Sequence, residues 1–290
     1  MKILITGANG FIGRNLVEKL GGIYQIEHPG KEELNLLDEQ NVENYLRRHK
    51  FDVIIHSAGV RSSVHAGSTP YDFLGGNLRM FYNLERCRGC YGRMYYFGSG
   101  AEYDMRHYVP YMKEEYFGMH VPVDPYGFSK YVMSKTCGAA GNIYDLRLFG
   151  VYGKYEEWDR RFISNAICRA LKGMDITIQK NVYFDYLWID DLCRIVRWFI
   201  EHEPLHRHYN VCRGSSIDLY SLALMVRSIL GTDCDIVVSQ QGLKLEYTGS
   251  NERLLKEMRK FQYAGYEESV RELSEYYKSN IGLIDEGRLI

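Results

Sequence analysis

Tyr126 and Lys130 stand four residues apart in Tyr126-Gly127-Phe128-Ser129-Lys130, a spacing that puts a phenol and an ammonium on one face of a helix. A free tyrosine gives up its proton only near pH ~10, so acid–base work at neutral pH needs a cation beside it, and Lys130 supplies one. The lysine can also hold ribose hydroxyls and so orient a dinucleotide. Ser99 follows the strand-like run Arg93-Met94-Tyr95-Tyr96-Phe97 and is placed to hydrogen-bond the oxygen that Tyr126 would protonate. A Y-x-x-x-K pair recurs by chance in helices, so its meaning rests on what accompanies it.

Its companion is Gly7-Ala8-Asn9-Gly10-Phe11-Ile12-Gly13, set between a first strand, Lys2-Ile3-Leu4-Ile5-Thr6, and a helix near 11–20. The first glycine permits a tight turn, and the second lets backbone approach a pyrophosphate. The third allows close helix–strand packing, while the amides around Phe11 and Ile12 face the anion with the helix dipole behind them. A strand–glycine turn–helix at the first junction therefore points to a dinucleotide. Glu27, after the second strand, could accept from a ribose 2′-hydroxyl, whereas Arg14 would favour a 2′-phosphate. Asp38 is either an acceptor for the adenine amine or the N-cap of the helix after it.

The elements that must position these groups alternate. Short β-branched runs at 2–6, 23–26, 52–56, 93–97 and 143–147 are interleaved with helical stretches near 11–20, 42–48, 70–87 and around Tyr126, as in right-handed βαβ units. In such a sheet ligands bind beyond the C-terminal strand ends. Gly7, Ser57, Ser99 and the segment after Arg147 all fall there. The expected fold is α/β, a doubly wound, Rossmann-like parallel sheet with a smaller mixed C-terminal substrate lobe. Residues 1–150, with 181–212 returning, form the dinucleotide-binding domain. Residues 151–180 and 213–290 form the lobe, with helices near 160–172, 218–230 and 266–278.

Bulk properties narrow the function classes. The 290 residues carry a formal net charge of −1, which gives no overall field to recruit nucleic acid or an anionic membrane. No apolar run approaches the ~20 residues that span a bilayer, and Met1 leads straight into a strand, so no signal peptide is expected. Seven cysteines, an odd number, suggest a reduced, cytoplasmic protein. Cys87-Arg88-Gly89-Cys90 has redox spacing without the strand–helix context of a redox site. His202, His206 and His208 lack an acid or cysteine to complete a metal site, so no metal is expected. Asp190 and Asp191 read as helix-opening residues. The 25 tyrosines have no functional account at this level.

With these residues in view, the chain resembles the extended short-chain dehydrogenase/reductases that modify nucleotide sugars, the NAD-dependent epimerase/dehydratase family. The likeness runs through Gly7 to Gly13, His56-Ser57-Ala58-Gly59, Asn77, Phe97-Gly98-Ser99-Gly100-Ala101-Glu102-Tyr103, Tyr126/Lys130 and Arg147-Leu148-Phe149-Gly150-Val151-Tyr152-Gly153. Asp185 to Asp191 and Tyr209-Asn210-Val211 complete it. Glu33-Leu34-Asn35-Leu36-Leu37-Asp38 and Thr69-Pro70-Tyr71-Asp72-Phe73 are most similar to GDP-fucose synthases, which reduce a 4-keto sugar with NADPH. The resemblance implies Ser99, Tyr126 and Lys130 as the catalytic trio and Tyr126 as proton donor. It adds Ser57, Ala58, Gly59 and Asn77 to the cofactor site, with NADP preferred over NAD, and implies a homodimer built on the helices near 71–87 and 126–138.

The departures from that pattern are equally specific. Ala101 and Arg161 stand where GDP-fucose synthases use a cysteine and a histidine for ring epimerisation, and Gly100-Ala101 stands where a dehydratase carries Asp-Glu. Gly150 and Phe184 replace an asparagine and an arginine near the sugar diphosphate, a loss for which Arg161, Arg169 or Lys180 would have to compensate. Glu102 is either an auxiliary acid or base or a polar contact beside the substrate. The leading expectation is an NAD(P)H-dependent reductase acting at C4 of a nucleotide-linked 4-keto, 6-deoxy sugar. A 4-epimerase with tightly held NAD is the second, and a dinucleotide-binding regulator that has lost catalysis the third.

Overall fold

The structure, a computed structural model, describes residues 1–60 and 70–289, without the side chains of 70–73. Thr69 and those side chains lie outside the described residues, and with them the 69–73 motif. In chain order the first half runs β1 (Lys2–Thr6), α1 (Phe11–Leu20), β2 (Gln25–Glu27), α2 (Glu39–His49), β3 (Phe51–His56), α3 (Pro70–Arg86), β4 (Tyr91–Ser99), α4 (Pro125–Ala139) and β5 (Ile143–Leu148). Then come β6 (Gly150–Tyr152), α5 (Phe162–Leu171), β7 (Ile176–Asn181), β8 (Tyr183–Phe184), β9 (Tyr186–Trp188), α6 (Ile189–Glu201) and β10 (His208–Val211). The last elements are β11 (Ile217–Asp218), α7 (Leu219–Leu230), β12 (Ile236–Leu243), α8 (Glu252–Glu257) and α9 (Tyr266–Ser279).

The chain divides into two compact units. The first comprises Met1–His107, Lys113–Leu148 and Ile195–Val211, and contains a six-stranded parallel sheet in the order β10-β5-β4-β3-β1-β2. Its central strands are apolar on both faces, as a sheet covered by helices on both sides requires. Ile3, Leu4, Ile5, Ile54, Ile55, Met94 and Leu146 are all buried. Val42 and Leu46 of α2, Phe81 and Leu84 of α3, and Met133 and Cys137 of α4 pack with the strands in one core. The strand order reverses at β1, which has β2 on one side and β3 on the other, so the crevice beyond β1 and β3 is the topological switch point where such sheets take ligands. The α/β, doubly wound class expected from the sequence is the observed one.

The second unit comprises Tyr108–Met112, Phe149–Arg194 and Cys212–Ile290. The stretch returning to the first unit therefore begins inside α6. Helices α5, α7 and α9 pack on one another, and Ile163, Ile167, Leu222, Val226, Val270 and Leu273 on them are buried. Three short strand pairs accompany them: β6 with β9, β7 with β12, and β8 with β11. Three of the tyrosines find a place in one aromatic cluster of this unit. Tyr108, Phe149, Phe184 and Tyr186 form a chain of ring contacts around Tyr247, with centroids 5.0 to 5.3 Å apart. Gly150 belongs to the same cluster: a Cβ there would sit 2.6 Å from the Asp185 carbonyl oxygen and 3.0 Å from the Phe184 ring. Gly150 N–H donates to that carbonyl at 3.1 Å. The glycine at 150 and the aromatic at 184 are thus one packing arrangement. Among the described residues no helix is long and apolar enough to cross a membrane.

Candidate active site

The glycine turn is built as its spacing demands. Gly7 has φ +71°, and a Cβ on it would lie 2.6 Å from the backbone of Ala58. A Cβ on Gly13 would lie 2.3 Å from the Gly7 carbonyl oxygen and 2.8 Å from Ala8 Cα. Both clashes are with backbone, so no rotamer relieves them. Gly10 caps α1 without a side chain and no acid occupies the first turn, which leaves the helix N-terminus open to an anion. Phe11 and Ile12 are half-buried in that first turn. We expect Gly13→Ala to weaken dinucleotide binding about tenfold or more, about 1.4 kcal/mol, by calorimetric titration; unchanged affinity would mean that the turn is not the cradle.

Ser57, Ala58 and Gly59 line the exit of β3, the last of them exposed. Ala58 N–H donates to Thr6 Oγ1 at 3.3 Å, which ties the β3 exit to β1. Asn77, 7% exposed, accepts from Val60 N–H at 2.7 Å and so holds the same exit loop. It shapes the crevice wall from behind. Asp38 caps α2, accepting from Asn41 N–H at 3.0 Å through Oδ1, which is the simpler of its two expected roles.

Glu27 is committed within the fold. Its Oε1 meets Lys2 Nζ at 2.7 Å, while Oε2 bonds His49 Nδ1 at 2.8 Å and accepts from the Tyr45 hydroxyl at 3.1 Å. Burial works against its ionisation, but Lys2, Tyr45 and His49 outweigh it and hold the carboxyl below its usual range. The expectation that Glu27 binds a ribose hydroxyl does not fit this arrangement, because both oxygens are already satisfied. Arg14 lies exposed just past the last glycine, with Glu18 at 3.8 Å.

All three members of the expected catalytic trio belong to the first unit. Ser99 ends β4 and is 8% exposed. Asp124 accepts from Gly127 N–H at 2.7 Å and Pro125 opens the helix, so the start of α4 is pinned just before Tyr126. Tyr126 is 40% exposed, and Lys130 lies one turn on with its ammonium 5.9 Å from the Tyr126 ring centre. Lys130 Nζ donates to the Phe97 carbonyl at 2.7 Å and sits 4.7 Å over the Tyr96 ring. The carbonyl it grips is two residues before Ser99, so one side chain registers the helix against the strand end.

His56 entered the sequence reading only through the motif His56-Ser57-Ala58-Gly59, with no role attached. It is fully buried at the end of β3, its Nδ1 2.8 Å from Thr6 Oγ1. Burial, and then the charge of Lys130, push its pKa down to about 3, so it stays neutral. The sign of its involvement in the sequence was only its place two residues before Ala58.

The residues expected to meet substrate are distributed differently. Glu102 is fully buried in the first unit: Oε1 accepts from Ser99 N–H at 2.9 Å and Oε2 from Arg147 Nε at 2.6 Å. Arg161, Arg169 and Lys180 all lie in the second unit. Arg161 is exposed immediately before α5, and Lys180 is half-buried in β7. Arg169 is 9% exposed, and its guanidinium donates to the carbonyls of Asp175 and Leu289. It fastens a loop and the C-terminal segment, and those bonds leave it a poor phosphate ligand. Asp190 and Asp191 do stand in the first turn of α6, where Asp191 accepts from Arg194 at 2.9 Å and from Ala264 N–H at 2.9 Å. His208 lies in β10, not in a loop, and no cluster among the described residues is suited to hold a metal ion.

Comparison with known proteins agrees with this geometry. Residues 3–212 match the NAD dependent epimerase/dehydratase family. A stretch of 86 residues, 29% of this chain, is 41% identical to GDP-L-colitose synthase of Yersinia pseudotuberculosis, and the match covers 28% of that relative's length. Many solved structures share the fold, two of them as follows. UDP-glucose 4-epimerase of Thermotoga maritima superposes with a TM-score of 0.83 at 20% identity, over 97% of this chain and all of that one. A GDP-L-fucose synthetase of Naegleria fowleri bound to NADP gives 0.83 at 15% identity, over 97% and 93%. The match over residues 3–212 spans the switch-point turn and the trio, and with it the chain belongs to the NAD dependent epimerase/dehydratase family.

Proposed function

We propose that this protein reduces C4 of a nucleotide-linked 4-keto-6-deoxy sugar, with NADPH as the preferred donor. When bound, the nicotinamide supplies the hydride. Tyr126 delivers the proton to the developing alkoxide, Ser99 hydrogen-bonds the same oxygen, and Lys130 holds the ribose and keeps a positive charge beside the phenol. The observation that carries the reading is the Lys130 bridge, in which one ammonium reaches the Phe97 carbonyl below Ser99 and lies within 6 Å of the Tyr126 ring, at 5.9 Å. It supports a common place for the two ends of the trio, because it ties α4 to the strand that ends in Ser99. The commitment of Glu27 to Lys2, His49 and Tyr45 supports NADPH over NADH, since the acid that would accept from a free 2′-hydroxyl is already occupied. Arg14, beyond the last glycine, is the cation for the 2′-phosphate.

The active form is proposed to be a cytoplasmic homodimer. Helices α3 and α4 already pack side by side in the first unit, with the Tyr82 hydroxyl 2.8 Å from Thr136 Oγ1. Their outer faces are the surfaces offered to a second copy.

The test is a cofactor-oxidation screen with NADPH and NADH over several nucleotide-linked 4-keto-6-deoxy sugars. Turnover with at least one of them is expected, faster with NADPH. No oxidation with any keto sugar, together with interconversion of a 4-hydroxy pair and no net cofactor consumption, would replace the reductase by a 4-epimerase. A dinucleotide that binds without either activity would leave only a regulator.

A further inference from the structure

Behind Ser99 lies a closed ionic cluster that neither the glycine turn nor the trio uses. Glu102, Asp145 and Arg147 are each 0% exposed. Arg147 Nε reaches Glu102 Oε2 at 2.6 Å and Asp145 Oδ2 at 3.0 Å. Its other nitrogens donate to the Tyr103 hydroxyl and to Ser134 Oγ, each at 3.0 Å. Ser134 in turn donates to Asp145 Oδ2 at 2.6 Å, and Tyr103 donates to Asn210 Oδ1 at 2.8 Å. One acceptor in the cluster has no donor. Asp145 Oδ1 is buried and unpartnered. It faces Glu102 Oε1 across Gly98: a Cβ on that glycine would sit 2.1 Å from the first oxygen and 2.2 Å from the second. Only glycine at this position lets the two carboxyl groups meet.

We infer that Glu102 and Asp145 share a single proton across Gly98, and that this neutralised acid pair is the device that fixes Ser99 in position. With two ionised carboxyls and one guanidinium, the cluster would hold an uncompensated buried charge, which is costly. With one proton between Glu102 Oε1 and Asp145 Oδ1 the charges of Glu102, Asp145 and Arg147 sum to zero and the orphaned oxygen gains a donor. The same Glu102 Oε1 accepts from Ser99 N–H at 2.9 Å, while Ser99 Oγ accepts from Ala101 N–H at 3.1 Å. Backbone and side chain of the serine are therefore both tied to the turn that the acid pair supports. Glu102 is a positioning residue that acts through Ser99; the catalytic consequence rests on the reductase reading above, whereas the shared proton does not.

The electrostatics agree. Burial first, and then the charge of Asp145, push Glu102 up to about 8. Burial also works against ionisation of Asp145, but Arg147, His208 and Ser134 outweigh it and hold that carboxyl below its usual range. The other titratable or charged groups facing the pair are Tyr96 from β4, Tyr103 after the Ser99 turn, Cys137 from α4 and His208 from β10, with Glu114 acting on Tyr103. A folded-state pKa above the ordinary carboxyl value of ~4.3 means that the native state keeps a proton the unfolded chain has lost. The stability this proton contributes is full below that value and lost as pH rises towards about 8.

The experiment compares the parent with Asp145→Asn and Glu102→Gln. In Asp145→Asn the amide nitrogen takes the place of Oδ1 and donates to an ionised Glu102, so the hydrogen bonds and the net charge survive with no proton left to lose. The parent is expected to show the infrared C=O band of a protonated carboxyl at neutral pH, and a melting temperature that falls between mildly acidic pH and pH about 8. Asp145→Asn is expected to lose part of that band and to flatten the fall, the remainder coming from Glu156 and Asp185, which burial also pushes up, to about 8 and about 7. Glu102→Gln cannot accept from Ser99 N–H and Arg147 together. It should lose hydrogen-exchange protection at the Ser99 amide, and should lower kcat while leaving KM for the dinucleotide unchanged. An undiminished protonated-carboxyl band, or the same pH slope, in Asp145→Asn would overturn the shared proton. Full Ser99 protection in Glu102→Gln would overturn the positioning role. If Asp145→Asn does not fold, Glu102→Gln takes its place: it removes the same proton, so an undiminished band and an unchanged pH slope there would overturn the shared proton. The infrared, exchange and stability readouts need no substrate, so a failure of the reductase reading is visible separately.

Discussion

Replacing Tyr126 with phenylalanine lowers kcat by about two to four orders of magnitude, the range that a positioned general acid contributes, and leaves the fold and dinucleotide affinity in place. The side chain is 40% exposed and contributes little to the core, so removing one hydroxyl should not shift the melting temperature. The helix start that carries it is held by Asp124 and Pro125, neither of which depends on the phenol. Lys130 keeps its bond to the Phe97 carbonyl, so cofactor positioning is retained and the whole effect falls on the proton-transfer step. Single-turnover kinetics with calorimetric binding would separate the two. A variant that turns over at the parent rate would show that the proton reaches the substrate by another route, and the assignment of Tyr126 as donor would fall.

Arg147→Met is expected to be the most destabilising substitution in the first unit. It removes the cation from Glu102 and Asp145 and the donor from Tyr103 and Ser134, in a place with no access to water. Breaking one partner out of a buried ionic cluster costs about 3–5 kcal/mol, a large share of the roughly 5–15 kcal/mol that a domain has in hand. Urea denaturation measures it. The loss should shrink as pH is lowered, since protonation of both carboxyls removes the uncompensated charge. Arg147→Lys should recover only part of the stability, because a single ammonium cannot serve Glu102, Tyr103 and Ser134 from one position. A change of under about 1 kcal/mol, the range of exposed ion pairs, would mean that the cluster is far less shielded than its burial indicates.

The parallel sheet was legible because its strands are apolar runs of the right length separated by helical periodicity. Each of the strands expected at 2–6, 52–56, 93–97 and 143–147 overlaps an observed one, with β4 extending two residues further at each end, to Tyr91 and Ser99. The glycine turn was legible for a different reason. Its residues answer to backbone geometry alone, and Gly7 and Gly13 meet backbone atoms where a Cβ would stand. In the second unit the reading thinned. Strand β12 is exposed along most of its length, with Val237 and Val238 at 44% and 39%, so no buried face imposes the alternation that marks a strand. Neither β8 nor β11 exceeds two residues.

Polar partners were the least legible part. Glu27, Asp38, Asn77 and Glu102 each had a residue type suited to a ligand, and each is held by the fold's own donors. Nothing in the one-dimensional order announces that Lys2 of β1 and Tyr45 and His49 of α2 converge on Glu27. The same holds for Glu102 and Asp145, 43 positions apart in number, which meet because β4 and β5 are neighbours and Gly98 clears the space between them. A carboxylate read as a ligand from its type alone competes with every cation and hydroxyl that folding brings to it.

The contact between Gly150 and Phe184 sets the order in which this protein can change. Any side chain at 150 meets the Asp185 carbonyl as well as the ring, so a substitution there is harmful on the present background whatever it adds in ligand binding. Trimming Phe184 first clears the ring but not the carbonyl; the β6–β9 pairing has to loosen as well. The reverse order passes through a poorly folded intermediate. A polar group at this place is thus reachable only after permissive changes in β8 and β9, and the chain is held to its aromatic cluster by the order of changes open to it as well as by packing.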